Sequence, residues 1–482
     1  MVIGVRRPII RFQAIREWYQ RYVNQPGSGG RIGVEGESSA MPDHNPFERA
    51  TTDGKVGEPA QAQAVHPETS ARESEGAPNE LPVPSGPQDI FDKVRAFDRA
   101  DDLMQAGLFP YFKPIAFQRG NRVIVEGREM LMACSNDYLG LSQDPRVKDA
   151  SRGVLSTYGT SCTGSRFLNG TLSVHEELER NLATFLGKEK VLTFSAGFLG
   201  CLSVIAALTG RHDILYFDRE NHASLYDGAR LTLGTMRRYR HNDTGHLAKL
   251  LAADEGKPGG RLIVTDGVFS MSGHIANLPK IVQLAKQYGA RVLVDDAHST
   301  GVLGANGRGT AEHFDLNDEV DLILGTFSKA FASVGGFVAG ESGIVAYIKH
   351  VARPFIFTAA SPAMSIAATA KSLEILRNEP EHRYRLWKNI DMFRSGLNQL
   401  GFDTMGSKGP IVPILVGEEE RTLGFWKSVW DEGIFALPAL SPGVPAGECL
   451  IRMAINATHS VEDIQHLLVV YGTVGRRLGV ID

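Results

Sequence analysis

Cysteine is scarce. The 482 residues hold four, Cys134, Cys162, Cys201 and Cys449, with gaps of 28, 39 and 248 residues. No C-x-x-C pair occurs, so neither a zinc site nor a disulfide framework is expected, and free thiols in a reducing, cytoplasmic compartment follow. Long apolar runs are missing as well. The richest stretch, GFLGCLSVIAALTG at 197–210, is shorter than the ~20 residues that span a bilayer and predicts a buried helix. Excess charge is also lacking. A net charge of −4, with 22% charged residues, gives no reason to expect nucleic acid as the partner of the whole chain. What remains is an ordinary globular composition, 43% hydrophobic, in a chain long enough for more than one domain.

Aromatic residues nearly vanish from residues 24–88, where Phe47 is the only one among Gly, Pro, Ser, Glu and Ala. Such a segment buries too little to offset chain entropy, so disorder is expected. Residues 1–23 differ: Arg6, Arg7, Arg11, Arg16 and Arg21 face a single acid, Glu17, while Phe12, Ile15, Tyr19 and Tyr22 recur at helical spacing. Two readings stand for this segment. One is an amphipathic or targeting peptide giving peripheral membrane contact, and the other is an extension without part in the chemistry.

From about residue 89 apolar periodicity takes over. A four-part organisation is expected: an extension at 1–88, an arm at 89–134, a large domain at 135–355 and a smaller C-terminal α+β domain at 356–482. The large domain alternates short apolar runs with amphipathic segments, which predicts an α/β fold with a mainly parallel sheet. Candidate strands are VLTF (191–194), ILYF (214–217), RLIVTD (261–266), RVLVDD (291–296) and DLILG (321–325), and NLPKIVQLAKQYG between two of them predicts a helix. Farther on, IVPILV (411–416) and CLIRMAI (449–455) predict strands of the smaller domain.

Chemistry collects where these strands end. RLIVTD leads to Asp266 and Ser270, RVLVDD to Asp295 and His298, and DLILG to Thr326, Ser328 and Lys329. Ligands of open parallel sheets bind beyond the strands' carboxyl ends. FSAGFLG (194–200) adds a small-residue turn into a helix, whose N-terminus suits a phosphate. A lysine, an acid on the preceding strand, hydroxyls and a phosphate cradle together meet the needs of pyridoxal phosphate. Its aldehyde bonds to lysine, and its ring draws electrons only while a carboxylate keeps the pyridine nitrogen protonated. A Ser–Lys hydrolase built on Ser328 and Lys329 would leave the neighbouring aspartates and histidines unexplained, and no G-x-S-x-G elbow is present. A non-catalytic scaffold would be expected to lack the lysine.

The motifs SNDYLGL (135–141), YGTSCTGSRFLNGT (158–171), HASLYDG (222–228), DGVFSMSG (266–273), VDDAHSTGVLGANGRG (294–309) and GTFSKAFASVGGF (325–337) resemble those of the α-oxoamine synthases. These are fold-type I pyridoxal-phosphate enzymes that condense an amino acid with an acyl thioester and release CO₂. The resemblance implies that Lys329 carries the cofactor and moves protons, that Asp295 faces the pyridine nitrogen, that His222 stacks on the ring, and that His298 meets its phenolic oxygen. It further implies a phosphate held by Gly197, Phe198, Thr326 and Ser328, with Ser270 at the cofactor and Thr358 lent to a neighbouring subunit's phosphate, hence a homodimer with shared active sites. Arg452, Asn136 and Ser165 would meet substrate. His175, in a solvated helical pattern, is read as structural.

Within the family, the approach segment at 107–141 and the run at 158–171 are most similar to bacterial serine palmitoyltransferases. Members that make 8-amino-7-oxononanoate commonly place an arginine ahead of the first motif, where this chain reads GLFPYFKP. The resemblance therefore implies L-serine and a long acyl-CoA, giving 3-oxosphinganine. A sister synthase using another amino acid or an acyl-carrier thioester is the alternative.

Overall fold

Four- to six-residue apolar runs build the centre of the molecule. The computed structural model describes residues 89–482; the amphipathic segment expected at 1–23 and the disorder expected at 24–88 lie outside the described residues. The chain divides into two units, Met1–Ala106 and Gly107–Asp482. In the first, the described residues form two short helices, Asp92–Arg95 and Arg99–Gln105.

The second unit opens with a meander of β1 (Ile115–Arg119), β2 (Arg122–Val125) and β3 (Arg128–Met132). A seven-stranded sheet follows: β4 (Lys190–Phe194), β5 (Ile214–Asp218), β6 (Thr235–Tyr239), β7 (Arg261–Asp266), β8 (Arg291–Asp295), β9 (Leu322–Thr326) and β10 (Gly336–Gly340). Its order is β4-β10-β9-β8-β7-β5-β6. Strands β5 to β9 pair parallel, while β10 runs antiparallel to both β9 and β4. Every residue of β5 and β9 is buried, as expected where helices cover both faces of a parallel sheet. One layer of side chains, including Leu192, Phe194, Leu215, Phe217, Val264, Leu293 and Leu324, packs against Val204 and Ile205 of the helix Gly197–Leu208.

The helix predicted from NLPKIVQLAKQYG is Leu278–Tyr288, with Ile281 and Leu284 buried and Gly289 closing it at φ 62°. Proline at the start and glycine just past the end mark those bounds. Toward the C-terminus a three-stranded antiparallel sheet orders β11 (Ile411–Gly417), β14 (Cys449–Ala454) and β13 (Leu437–Ala439), and the short β12 (Ile434–Phe435) joins β3 in the meander. Helices Ala363–Asn378, Glu381–Gln399, Glu419–Asp431 and Val461–Arg477 accompany them. No helix among the described residues is long and apolar enough to cross a membrane.

Two strands of the large sheet escape the sequence pattern. β6, TMRRY, is a largely solvated edge strand with only Tyr239 buried, so it carries neither an apolar run nor an alternation. β10, GFVAG, begins and ends in glycine, which normally weakens a strand. The first of these glycines is required by space, since a Cβ on Gly336 would lie 2.5 Å from the Gly197 Cα.

Candidate active site

The carboxyl ends of β4, β5, β7, β8 and β9 open on one cavity of about 300 Å³. Asp295 ends β8 in register with Asp266 of β7, and Lys329 follows the end of β9 by three residues. Gly197, Phe198, His222, Asp295, His298, Thr326, Ser328 and Lys329 all line this cavity. The family resemblance implied these eight together, six of them also marked by the strand ends and the turn at 197, and the sheet brings them together.

One end of the cavity is built for an anion. The helix Gly197–Leu208 points its N-terminus there, and its first-turn N–H groups have no partner within the helix. Thr326 Oγ1 and Ser328 Oγ lie 2.9 Å apart beside it. Glycine at 197 is a matter of space: an added Cβ would stand 2.8 Å from Thr326 Oγ1 and narrow the cradle. Asp295, also in the lining, is buried, its Oδ1 accepting from the Ala297 N–H at 3.0 Å and its Oδ2 from the Cys201 thiol at 3.5 Å. Half-buried Lys329 lines the same cavity. Burial lowers its amine to about 8, with Asp295 opposing the shift and Arg452 adding to it. Such an amine becomes a free nucleophile as pH rises through about 8, well below the range of an ordinary lysine. An anion cradle, an amine and a carboxylate on one cavity are the groups that pyridoxal phosphate needs for its phosphate, aldehyde and ring nitrogen.

The two histidines are held by different devices. His222 caps the helix Ala223–Arg230; its Nδ1 accepts from the Ser224 backbone N–H at 3.3 Å and meets Ser224 Oγ at 2.7 Å. Its backbone N–H donates to Asp266 Oδ1 at 3.2 Å. Burial lowers the His222 imidazole, and Asp295 counteracts. Asp266 is driven well above the ordinary carboxylate range by burial first and the charge of Asp295 second. His298 is buried, and burial, reinforced by Lys329, takes it well below the usual histidine range, so its ring is neutral.

Tyr138 decides where the single proton of that ring sits. Its hydroxyl, fully buried, lies 2.7 Å from His298 Nδ1. Burial pushes the phenol up to about 12, so it keeps its proton and donates it to Nδ1. His298 then carries its own proton on Nε2, as a donor. Tyr138 is a positioning residue that sequence spacing did not single out, because 160 residues separate it from its partner. Replacing Tyr138 with phenylalanine leaves a buried ring nitrogen unpaired, a cost of about 1–3 kcal/mol or roughly 10–100-fold in kcat/KM. Nitrogen-15 NMR of the histidines should show loss of the fixed Nε2–H tautomer; an unchanged tautomer would contradict the assignment.

The other expected residues lie apart from the cavity lining. Arg452 sits on β14, donating from Nε to the Ser270 carbonyl at 2.7 Å and from Nη2 to Asn136 Oδ1 at 2.9 Å. Arg452, Ser270 and Asn136 thus form one cluster. Its electrostatic effect is felt at Lys329, His298 and Tyr138. Thr358 lines a separate small cleft with Arg166 and His175. Ser165 is buried, bridges Ala359, and its hydroxyl has no partner among the described residues. His175 corrects an expectation. It is not on a solvated face but 1% exposed, its Nδ1 accepting from the Leu172 N–H at 3.0 Å and its Nε2 meeting the Ser361 carbonyl at 2.9 Å. Glu176 and Glu177 point outward, whereas Glu179 turns in with the ring and pairs with buried Arg166 at 2.8 Å.

Residues 128–470 match the family model for aminotransferase class I and II. The serine palmitoyltransferase of Sphingobacterium spiritivorum is 46% identical over 378 residues, covering 78% of this chain and 94% of that protein. An 8-amino-7-oxononanoate synthase from Symbiobacterium thermophilum is 41% identical over 384 residues, covering 80% of this chain and 98% of that one. Among solved structures, the serine palmitoyltransferase of S. paucimobilis with a bound PLP–myriocin aldimine superposes with a TM-score of 0.78 at 34% identity, covering 82% of this chain and all of that chain.

Proposed function

Since the chain belongs to the class I and II aminotransferase family, and within it to the α-oxoamine synthases, we propose that it is a pyridoxal-phosphate-dependent acyltransferase. It joins L-serine to a long-chain acyl thioester such as palmitoyl-CoA, releases CO₂ and forms a 3-oxo amine, 3-oxosphinganine, at the head of sphingolipid synthesis. The observation that carries the reading is the convergence of Lys329, Asp295, His222 and His298 on one cavity beside a helix N-terminus.

When bound, pyridoxal phosphate supplies an electron sink for the pair freed at the amino acid's Cα. The chain supplies the rest. Gly197 and Phe198 would hold the phosphate through backbone N–H groups, with Thr326 and Ser328 adding hydroxyls, while Ser270 would act through the carbonyl that braces Arg452. Asp295 would hold a proton on the ring nitrogen, and His298 would donate from Nε2 to the phenolic oxygen. His222 would cover the ring face and orient it. Lys329 Nζ would take the proton from Cα and later return one. The Arg452 guanidinium, braced by Asn136 and the Ser270 carbonyl, would grip the amino acid's carboxylate, with Ser165 nearby in the substrate path. Thr358 would serve the phosphate of a partner subunit, so the working unit is a homodimer.

Incubating the purified enzyme with serine, glycine or alanine and with acetyl, pimeloyl and palmitoyl thioesters, followed by mass spectrometry, tests the reading. The expected product is 3-oxosphinganine. Turnover confined to a pimeloyl thioester would favour the 8-amino-7-oxononanoate reading, which the second relative keeps in view; palmitoyl transfer only from a carrier protein would move the donor.

The reading extends to place and organisation. The enzyme would work in the cytoplasm, with an arm at 89–134, a cofactor-binding domain at 135–355 and a smaller domain at 356–482. Its product partitions into lipid, and the five arginines of residues 1–23 would draw it to an anionic surface. Removing residues 1–88 should reduce sedimentation with anionic vesicles while sparing turnover. Equal sedimentation of both forms would remove the membrane contact.

A further inference from the structure

Behind the turn that carries Ser270 lies a pair of histidines that the mechanism above does not use. His241 Nδ1 is 3.0 Å from Asp218 Oδ1, His241 Nε2 is 2.8 Å from His274 Nδ1, and His274 Nε2 is 2.7 Å from the Met405 carbonyl. The two ring planes lie within 17° of each other, edge to edge with centroids 5.1 Å apart, and the Phe269 ring stands at 89° to His241 with centroids 4.4 Å apart.

Both ends of this chain of contacts are acceptors. A carbonyl has no proton to give. The Asp218 carboxylate already accepts N–H bonds from Glu220 on Oδ1, at 2.8 Å, and from Asn242 on Oδ2, at 2.6 Å. Three contacts in series between two acceptors need three N–H protons. Two neutral imidazoles bring only two, and a lone pair would then face a lone pair at one contact. We propose that His241 and His274 share three ring protons and therefore one positive charge, and that this charged pair positions Arg452 by locking the 268–275 turn.

The link to Arg452 is short. Within the turn the Phe269 N–H donates to the His274 carbonyl at 2.9 Å, and the Gly273 N–H donates to the Phe269 carbonyl at 3.0 Å. Ser270 lies inside that loop and offers its carbonyl to Arg452 Nε. The His274 ring ties the same turn to the segment before β11, where the Gly409 N–H also donates to the Gly273 carbonyl at 2.8 Å.

Charged neighbours are consistent with a cationic pair. Asp218 closes β5, and Glu220 Oε2 is 3.5 Å from His241 Nε2. On the loop after β6, Arg240 is paired with Asp243 at 2.7 Å. Ahead of Met405, Asp403 Oδ1 accepts from the Met405 N–H at 2.7 Å. On the helix behind, Arg394 is paired with Asp391 at 2.6 Å and donates to the Ser407 carbonyl.

The positioning role rests on the reading of Arg452 as the carboxylate grip, so two experiments separate them. Neutron diffraction from deuterium-exchanged crystals of the full chain counts ring deuterons directly. Three on the two rings and none on Asp218 is the expected result; two, or one on the Asp218 carboxylate, overturns the shared charge. In kinetics, His274→Phe and the milder His274→Gln should raise the KM for the amino acid by about tenfold, less than the ~100-fold that a 1 Å displacement can cost. The KM for the acyl thioester should stay unchanged. A matching rise in both KM values overturns the positioning role. Arg452→Lys is measured alongside. If it leaves the amino-acid KM unmoved, the Arg452 reading fails and the positioning role with it, whereas the deuteron count still decides the shared charge.

Discussion

Replacing Lys329 with alanine is expected to lower kcat by roughly 10,000-fold or more, the scale seen when the reacting group of a covalent mechanism is removed. The purified variant should also lose any lysine-linked chromophore while still binding the cofactor through the phosphate cradle, which its substitution leaves intact. The reason lies in position and charge. Lys329 follows the end of a fully buried strand, and its amine is lowered to about 8 by burial. Sign and window follow from that direction. Below about pH 8 the cofactor-free protein holds the amine protonated, and above it the amine is free to attack an aldehyde. Uptake of pyridoxal phosphate by the cofactor-free parent should therefore quicken as pH rises through about 8 and level off, well before the ordinary lysine value of 10.5. A variant retaining a tenth of parental turnover would contradict the role given to Lys329.

Asp295→Asn is expected to be the second most damaging change. The side chain is 6% exposed, and asparagine preserves its shape while removing its charge. Opposite unit charges ~4 Å apart at an effective dielectric of ~20 attract by about 4 kcal/mol. Losing that attraction to a protonated ring nitrogen corresponds to a fall of roughly 1,000-fold in kcat. Asp295→Glu, which keeps the charge but moves it, should fall between the parent and asparagine. Steady-state rates with saturating cofactor measure both. Equal activity of Asp295→Asn and parent would mean that the carboxylate does not govern the ring nitrogen.

Much of the large sheet was legible because a parallel strand covered on both faces has to be apolar throughout. RLIVTD, RVLVDD and DLILG announce themselves, and polar residues at their ends announce the site. The helix after FSAG was equally plain. What stayed hidden was set by three-dimensional neighbours. GFVAG is a strand because Gly336 must pass the Gly197 backbone, a demand that no local pattern carries. His175 looked solvated among acids, yet its ring turns inward to the Ser361 carbonyl, 186 residues away. Tyr138 lay inside a quoted motif without a role, since its partner His298 arrives from another strand end. Cys201 counted only as one of four free thiols, although its sulfur faces Asp295 Oδ2 across 94 residues. The histidine pair belongs to the same class. His241 and His274 stand 33 residues apart, and only the fold shows that both ends of their chain are acceptors.

The central claim is a covalent one, so the most direct measurement is chemical trapping. Purified protein supplied with vitamin B6 is reduced with borohydride, digested and mapped by mass spectrometry. A yellow protein that bleaches and carries one phosphopyridoxyl group on Lys329 is the predicted result. Colourless protein, or a label fixed to any other lysine, would contradict the account.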